Sequence, residues 1–354
     1  MPKLLLFPYN IHTETILKHK EQIVGYTIEA VSSFKEHKKK LEECSERYHV
    51  DCSVDYEKLF YNIDMMMLVD PATELEANEY IKVIAAANAA GKKIVSSRAL
   101  ENRLKKIEPD CTVEPLSNKR KMNYQYGEDK LLTIHTPIIV SAAEGEDCSK
   151  FETQLLLQEF LKNDGYKASF ICSNDCGTIF GMHTIPASIL FETNSFETKV
   201  IEFNHYVYDI CSSERPDVIV VGIPGGLSRL NDDFTNHFSE IALIVSNAVN
   251  IDGGLINIYF DTRCSSKMIE EYKRYCRIKY AIPYGEMFFS RQRVLYDVET
   301  EKFDYYHLSD DVLSDESFKR FFDENDVTNI SDRNAVFSAY QRIVAALQSN
   351  PNTI

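Results

Sequence analysis

The 354-residue chain has no apolar run near the roughly 20 residues that a bilayer span requires. It also lacks an excess of base. Its 39 Lys and Arg face 54 Asp and Glu, for a net charge of −15. A nucleic-acid binder needs a basic stripe to displace counterions, so that class is disfavoured, and docking on an anionic membrane with it. The triplets Lys38-Lys39-Lys40 and Lys119-Arg120-Lys121 read as solvated surface, the first at a helix end and the second in a linker. No CxxC pair occurs among the nine cysteines, so the tight ligand spacing of structural zinc is missing and no metal is expected. An odd cysteine count without an export signal reads as reduced, cytoplasmic thiols. The opening MPKLLLFPYN has no cleavage-like site and reads as a first strand. After that strand comes Tyr9-Asn10-Ile11-His12 where a dinucleotide site would carry GxGxxG, which argues against such a site.

What is present is α/β alternation. Length favours two domains, and 44% hydrophobic content suffices for real cores. Strands are expected at Lys3–Tyr9, Ile23–Ser32, Met65–Val69 and Lys93–Ser97. Helices are expected at Glu14–Gln22 with Thr13 as cap, at Thr73–Ala90 and at Leu100–Ile107. This predicts a Rossmann-like domain over 1–120 with a mostly parallel sheet. The polar stretch 121–130 reads as a linker. A second α/β domain over 131–354 follows, with strands at Ile134–Ala142, Lys167–Cys172, Asp217–Gly222 and Leu255–Phe260. Its helices are expected at Lys150–Asn163, Glu197–Ser212, Asn236–Asn250, Met268–Arg277 and Asn334–Gln348, with a peripheral hairpin in Tyr296–His307.

The most informative stretch runs from Thr136 to Tyr166, where an apolar strand passes through a polar loop into a helix. This is the layout of a phosphate-binding loop, and the second domain is therefore read as P-loop NTPase-like with a degenerate Walker A motif. In GxxxxGK[ST] the glycines let backbone amides curl around phosphate, the lysine neutralises charge and the hydroxyl holds Mg²⁺. Here Lys150 survives, Ser149 replaces the second glycine, Glu144 stands for the first, and Phe151 replaces the hydroxyl. Glu144, Glu146 and Asp147 crowd the loop. A carboxylate about 6 Å from a phosphate charge costs roughly 1–3 kcal/mol at an effective dielectric of ~20–40, and one lysine does not offset three. The helix start at Ser149, Lys150 and Phe151 remains an anion site by its backbone donors. Gly145, Cys148, Ser149, Lys150 and Phe151 are thus candidate phosphate-binding positions.

A nucleotide site also needs an acid at the end of a second strand. Asp217 begins that strand, and its far end carries Gly222-Ile223-Pro224-Gly225-Gly226. Gly225 and Gly226 would permit close ligand approach, or simply form a tight turn; Asp232 and Asp233 could reach back. With two magnesium-holding groups missing, efficient NTP hydrolysis is not expected. Asp175 and His183, after the Lys167 strand, are the candidate acid–base groups if the protein is an enzyme. Cys176 and Cys148 are nucleophile candidates set against incidental thiols, and His205 is read as a packed helix residue.

Lys150-Phe151-Glu152, Gly181-Met182-His183 with Pro186, Phe203-Asn204-His205, and Gly222-Ile223-Pro224-Gly225-Gly226 with Phe234-Thr235-Asn236 occur in this order. With the opening Leu6-Phe7-Pro8-Tyr9, they make the chain resemble clostridial-type peptide maturation system proteins. Those proteins accompany cysteine-rich precursor peptides, a radical SAM maturase and an acyl-carrier-related protein. The resemblance implies an accessory role in maturing a ribosomally synthesised modified peptide, with these three as partners. A wider resemblance is to proteins joining a Rossmann-like half to a P-loop half, some of which N-acylate D-amino acids. The departures at Ser149 and Phe151 leave ATP, or CoA and phosphopantetheine, as candidate ligands. Mg²⁺ stays open, as does the choice between a nucleotide-dependent ligase, an acyltransferase and a non-catalytic scaffold.

Overall fold

The computed structural model describes residues 1–71, 75–117, 129–229, 239–313, 321–322 and 324–349. The chain divides into two compact units, Met1–Lys119 with Asn174–Thr184, and Arg120–Ser173 with Ile185–Ile354. The second unit is therefore not the continuous 131–354 block read from the sequence: residues 174–184 group with the first. Most of the expected linker 121–130 lies outside the described residues.

The first unit contains β1 (Lys3–Phe7), β2 (Thr27–Ser32), β3 (Asp51–Ser53), β4 (Met65–Leu68), β5 (Lys93–Ser96) and β6 (Glu114–Pro115). They form one six-stranded sheet in the order β3-β2-β1-β4-β5-β6. All pairings are parallel, with Leu4 opposite Met65 and Phe7 opposite Leu68. This is the doubly wound Rossmann order, whose switch point falls between β1 and β4. Pro115 sits on an edge strand, where its missing N–H breaks no ladder. The helix Ala77–Ala89 buries Tyr80, Val83, Ile84 and Ala87, the 3–4 spacing of a single face. That face joins Leu5, Phe7 and Met66 in the core, where Phe7 meets Tyr80 edge-on at 5.7 Å. Each such side chain contributes roughly 1.5–3 kcal/mol on full burial.

One local expectation needs correction here. Asn10, not Thr13, caps the first helix (Ile11–Lys18), accepting from the amides of His12 and Thr13. Thr13 instead donates its hydroxyl to the Pro8 carbonyl at 2.5 Å. The charged segment Lys38–Tyr48 is a full helix that buries Leu41, Cys44 and Tyr48.

The second unit holds β7 (Ile138–Ala143), β8 (Ala168–Ile171), β9 (Val218–Gly222), β10 (Gly253–Ile258) and β11 (Gly285–Phe289). A hairpin of β12 (Gln292–Asp297) and β13 (Lys302–His307) and a short β14 (Thr328–Asn329) complete it. The main sheet is parallel, in the order β14-β11-β10-β7-β9-β8. Every residue of β7, β9 and β10 is buried, which is why these strands read as unbroken apolar runs and not as alternating ones. The protein is thus α/β, a Rossmann-like parallel sheet followed by a P-loop NTPase-like one. β7 lies between β9 and β10, so the loop leaving its carboxyl end opens at a switch point. Among the described residues, no helix is long and apolar enough to cross a membrane.

Candidate functional site: the loop after β7

The loop leaves β7 through Ala143 and ends at Ser149, ahead of the helix Lys150–Asn163. Asp147 and Ser149 both adopt left-handed backbone, at φ +50° and +52°. Glycine takes this conformation freely, and at Ser149 the Walker pattern has glycine. The chain therefore keeps the bend and carries its strain in a non-glycine residue. Ser149 makes no side-chain cap to the helix. Its hydroxyl donates to Gln292 Oε1 at 3.0 Å and accepts from the Arg291 amide at 3.3 Å.

Lys150 is 8% exposed, and its ammonium turns back into the loop. It donates to the Gly145 carbonyl at 3.1 Å and, by a short bond, to the Gly225 carbonyl. Burial pulls its pKa below that of a free lysine, and the charges of Glu146 and nearby groups oppose this. Gly225, at φ +75°, thus delivers a carbonyl from the turn after β9. Gly226 is buried beside it. The next residue, Leu227, is fixed by its amide to the Ala143 carbonyl at 2.8 Å and by the Tyr275 hydroxyl on its own carbonyl at 3.0 Å. Asp232, Asp233 and the Phe234-Thr235-Asn236 motif lie outside the described residues.

The acids divide. Glu144 turns inward, accepts from the Tyr259 amide at 3.1 Å and has its pKa raised by burial. Glu146 offers its carbonyl to the Tyr259 hydroxyl. Tyr259 lies against Gly145 so closely that an added Cβ would come within 2.3 Å of its hydroxyl. Here glycine is favoured by close approach and not by φ, since a larger residue would force the Tyr259 ring to shift. Cys148 is fully buried, hydrogen-bonded with Ser290 and the Gly145 backbone. Burial pushes its thiol far above the ordinary range, the opposite of an activated nucleophile.

Phe151, half-buried, replaces the metal-holding hydroxyl. The next hydroxyl along the helix, on Thr153, is committed to the Ser149 carbonyl at 3.1 Å and Asn257 Oδ1 at 3.2 Å. Glu152 is buried in an ion pair with Arg291 at 3.2 Å. Among the described residues, no group of three or more His, Cys, Asp or Glu is placed to hold a metal.

Asp175 and His183 both belong to the 174–184 segment of the first unit. Asp175 grips Arg98 with both oxygens, accepting from Nε at 2.9 Å and Nη2 at 2.6 Å, and takes the Arg98 amide as well at 2.9 Å. A carboxylate so occupied is a fork for a guanidinium, a structural duty that competes with proton transfer. His183 is half-buried. His205 bonds the Lys130 carbonyl through Nε2 at 2.8 Å, the packed role expected of it.

The residues that complete the loop, Tyr259, Arg291 and Gln292, were not singled out in the sequence. Only their local setting was visible: Tyr259 follows the β10 apolar run, and Ser290-Arg291-Gln292 is a polar step after Met287–Phe289.

No family model matches the sequence, and neither does any curated protein. Solved structures do. A DUF1611 family protein from Anabaena variabilis superposes with a TM-score of 0.59 at 11% identity, covering 97% of this chain and 100% of that one. Chloroplast FtsY from Physcomitrella patens gives 0.31 at 12% identity over 92% and 94% of the two chains. A pseudomurein peptide ligase type C from Methanothermus fervidus gives 0.28 at 13% identity over 81% and 44%. The first likeness is one of fold across the whole chain. The other two are too loose to add to it.

Proposed function

We propose that the second unit is a phosphate-ligand module that binds without efficient hydrolysis, in the service of maturing a ribosomally synthesised peptide. The observation that supports it is the buried Lys150 ammonium, bridging the Gly145 and Gly225 carbonyls beside a helix start that its own serine does not cap. Among the described residues the hydrogen bonds of this ammonium go to carbonyls, and a phosphate oxygen is a stronger acceptor for it. The ligand class is a nucleotide or a CoA or phosphopantetheine group. Hydrolysis is disfavoured because Phe151 offers no hydroxyl, Thr153 is committed elsewhere, and no acid ends β9. The peptide context, with a precursor peptide and an acyl-carrier-related protein or radical SAM maturase as partners, comes from the sequence resemblance alone.

A second reading, a scaffold for the precursor peptide or a maturase, is favoured by the Tyr259 and Gln292 contacts, which occupy the loop with the protein's own groups. A thermal-shift series with ATP, GTP, CoA and acetyl-CoA, with and without Mg²⁺, separates the two. A ligand at 100 times its Kd adds about 2.7 kcal/mol of stability. The module reading requires such a shift with at least one compound and its loss in Lys150→Ala. A flat series, or a shift that survives the substitution, leaves the scaffold.

A further inference from the structure

The helix Lys38–Tyr48 ends at His49, whose left-handed backbone (φ +52°) turns the chain back on itself. The His49 amide donates to the Ser45 carbonyl at 2.9 Å, and the Ser45 hydroxyl donates to the Val50 carbonyl at 2.9 Å. This double tie fixes the reversal. It brings β3, which pairs with β2 at the edge of the sheet, alongside the last turns of the helix. Cys44, on the buried face of the helix, and Cys52, in β3, meet there with their thiols hydrogen-bonded to one another. Cys44 is 1% exposed, whereas Cys52 is only half-buried. Neither thiol has a place in the proposed phosphate site, which lies in the other unit.

We propose that Cys44 and Cys52 form a thiol-modification site that reacts with small-molecule disulfides of the glutathione disulfide class, Cys52 attacking first and Cys44 resolving. The environment orders the two roles. The hydrogen bond from Cys44, assisted by Ser45, favours the Cys52 thiolate, and burial and the nearby Asp51 oppose it. The same thiol-to-thiol bond, together with burial, holds Cys44 protonated. Exposure fixes the order: the half-buried Cys52 sulfur is the one a small disulfide can reach, and the buried Cys44 waits behind it. In the first step the Cys52 thiolate attacks one sulfur of the external disulfide, and one thiolate leaves and takes up a proton. In the second, Cys44 gives up its proton and attacks the Cys52 sulfur of the mixed disulfide, expelling the other half as thiol. Two protein thiols and one disulfide become one protein disulfide and two small thiols, with both electrons passing to the reagent. The product staples the edge strand to its own helix.

The test uses the full chain. The native protein is incubated with glutathione disulfide, remaining thiols are alkylated, and proteolytic peptides are weighed. The expected product is a peptide linked through Cys44 and Cys52, the other seven of the nine cysteines being alkylated. It should revert with dithiothreitol. Cys44→Ala should halt at glutathione on Cys52, and Cys52→Ser should leave Cys44 unmodified. Full alkylation of both cysteines in the wild type overturns the proposal. So does stable glutathione on wild-type Cys52, or glutathione on Cys44 in Cys52→Ser.

Discussion

Each unit sends a loop out of its central strand and straight into a helix, and the two loops have opposite fates. After β1, Asn10 folds its side chain over the helix start and accepts from two amides, closing the end with the protein's own oxygen. After β7, Ser149 occupies the corresponding position in a left-handed bend and leaves the helix uncapped, spending its hydroxyl on Gln292 and Arg291. A buried ammonium stands beside the second helix start. None of the residues from Tyr9 to Thr13 is a lysine or arginine, so nothing comparable stands within the first loop. A shared α/β plan therefore does not by itself yield a ligand site. The difference lies in whether local side chains consume the helix-end donors.

The largest break in this contrast should come from Glu152→Ala, which removes the carboxylate paired with the buried Arg291. Loss of one partner from a buried ion pair costs about 3–5 kcal/mol, readable as a lower urea midpoint. Replacing both partners by apolar residues of similar volume should recover most of it. Lys150→Ala comes next. It leaves the Gly145 and Gly225 carbonyls to water, costing about 1–3 kcal/mol in denaturant melts, and removes any ligand-induced shift. On the first loop, Asn10→Ala should cost about 1 kcal/mol by loss of its cap, with a further cost from losing its amide donation to the Asp70 carbonyl at 2.8 Å; Asn10→Asp keeps the cap but loses that donation, so it should fall between wild type and Asn10→Ala. Neither should alter a shift caused by a phosphate compound. If Asn10→Ala abolishes that shift, the contrast between the loops fails.

The smallest effect concerns pH. Burial raises the folded-state pKa of Glu144 above its unfolded value. The folded state therefore holds this proton more tightly. Its contribution is fully present below the unfolded pKa and is lost as pH rises through the folded pKa. Glu144→Gln keeps an acceptor for the Tyr259 amide without the charge. The variant should melt above wild type at neutral pH, with the difference closing as the solution is acidified. A constant difference across that range would point away from titration.

How much was legible follows from range along the chain. The Lys150–Asn163 helix has the bounds its spacing predicts, and β7, β9 and β10 show as apolar runs because both faces are covered. Of the helix Lys38–Tyr48 only the basic end was legible, because its charge hides a sparse stripe of Leu41, Cys44 and Tyr48. Met287–Phe289 of β11 lay inside an aromatic stretch that offered no period to read. At the site, Lys150 and Gly225 were visible through motif layout. The pairing of Ser149 with Gln292, 143 positions away, was not, because only the sheet order brings such residues together. Asp175 looked catalytic as a lone acid after a strand. Its role depends on Arg98, 77 positions earlier, which no local pattern announces.

That Arg98–Asp175 clasp has a practical consequence for dissection. A polypeptide halted at residue 119 retains the guanidinium and forfeits the carboxylate, because the latter is encoded in the excursion at 174–184. The gene thus offers no single point at which the first unit can be cut free whole. Any fragment intended to represent it must carry both stretches, rejoined by a designed linker.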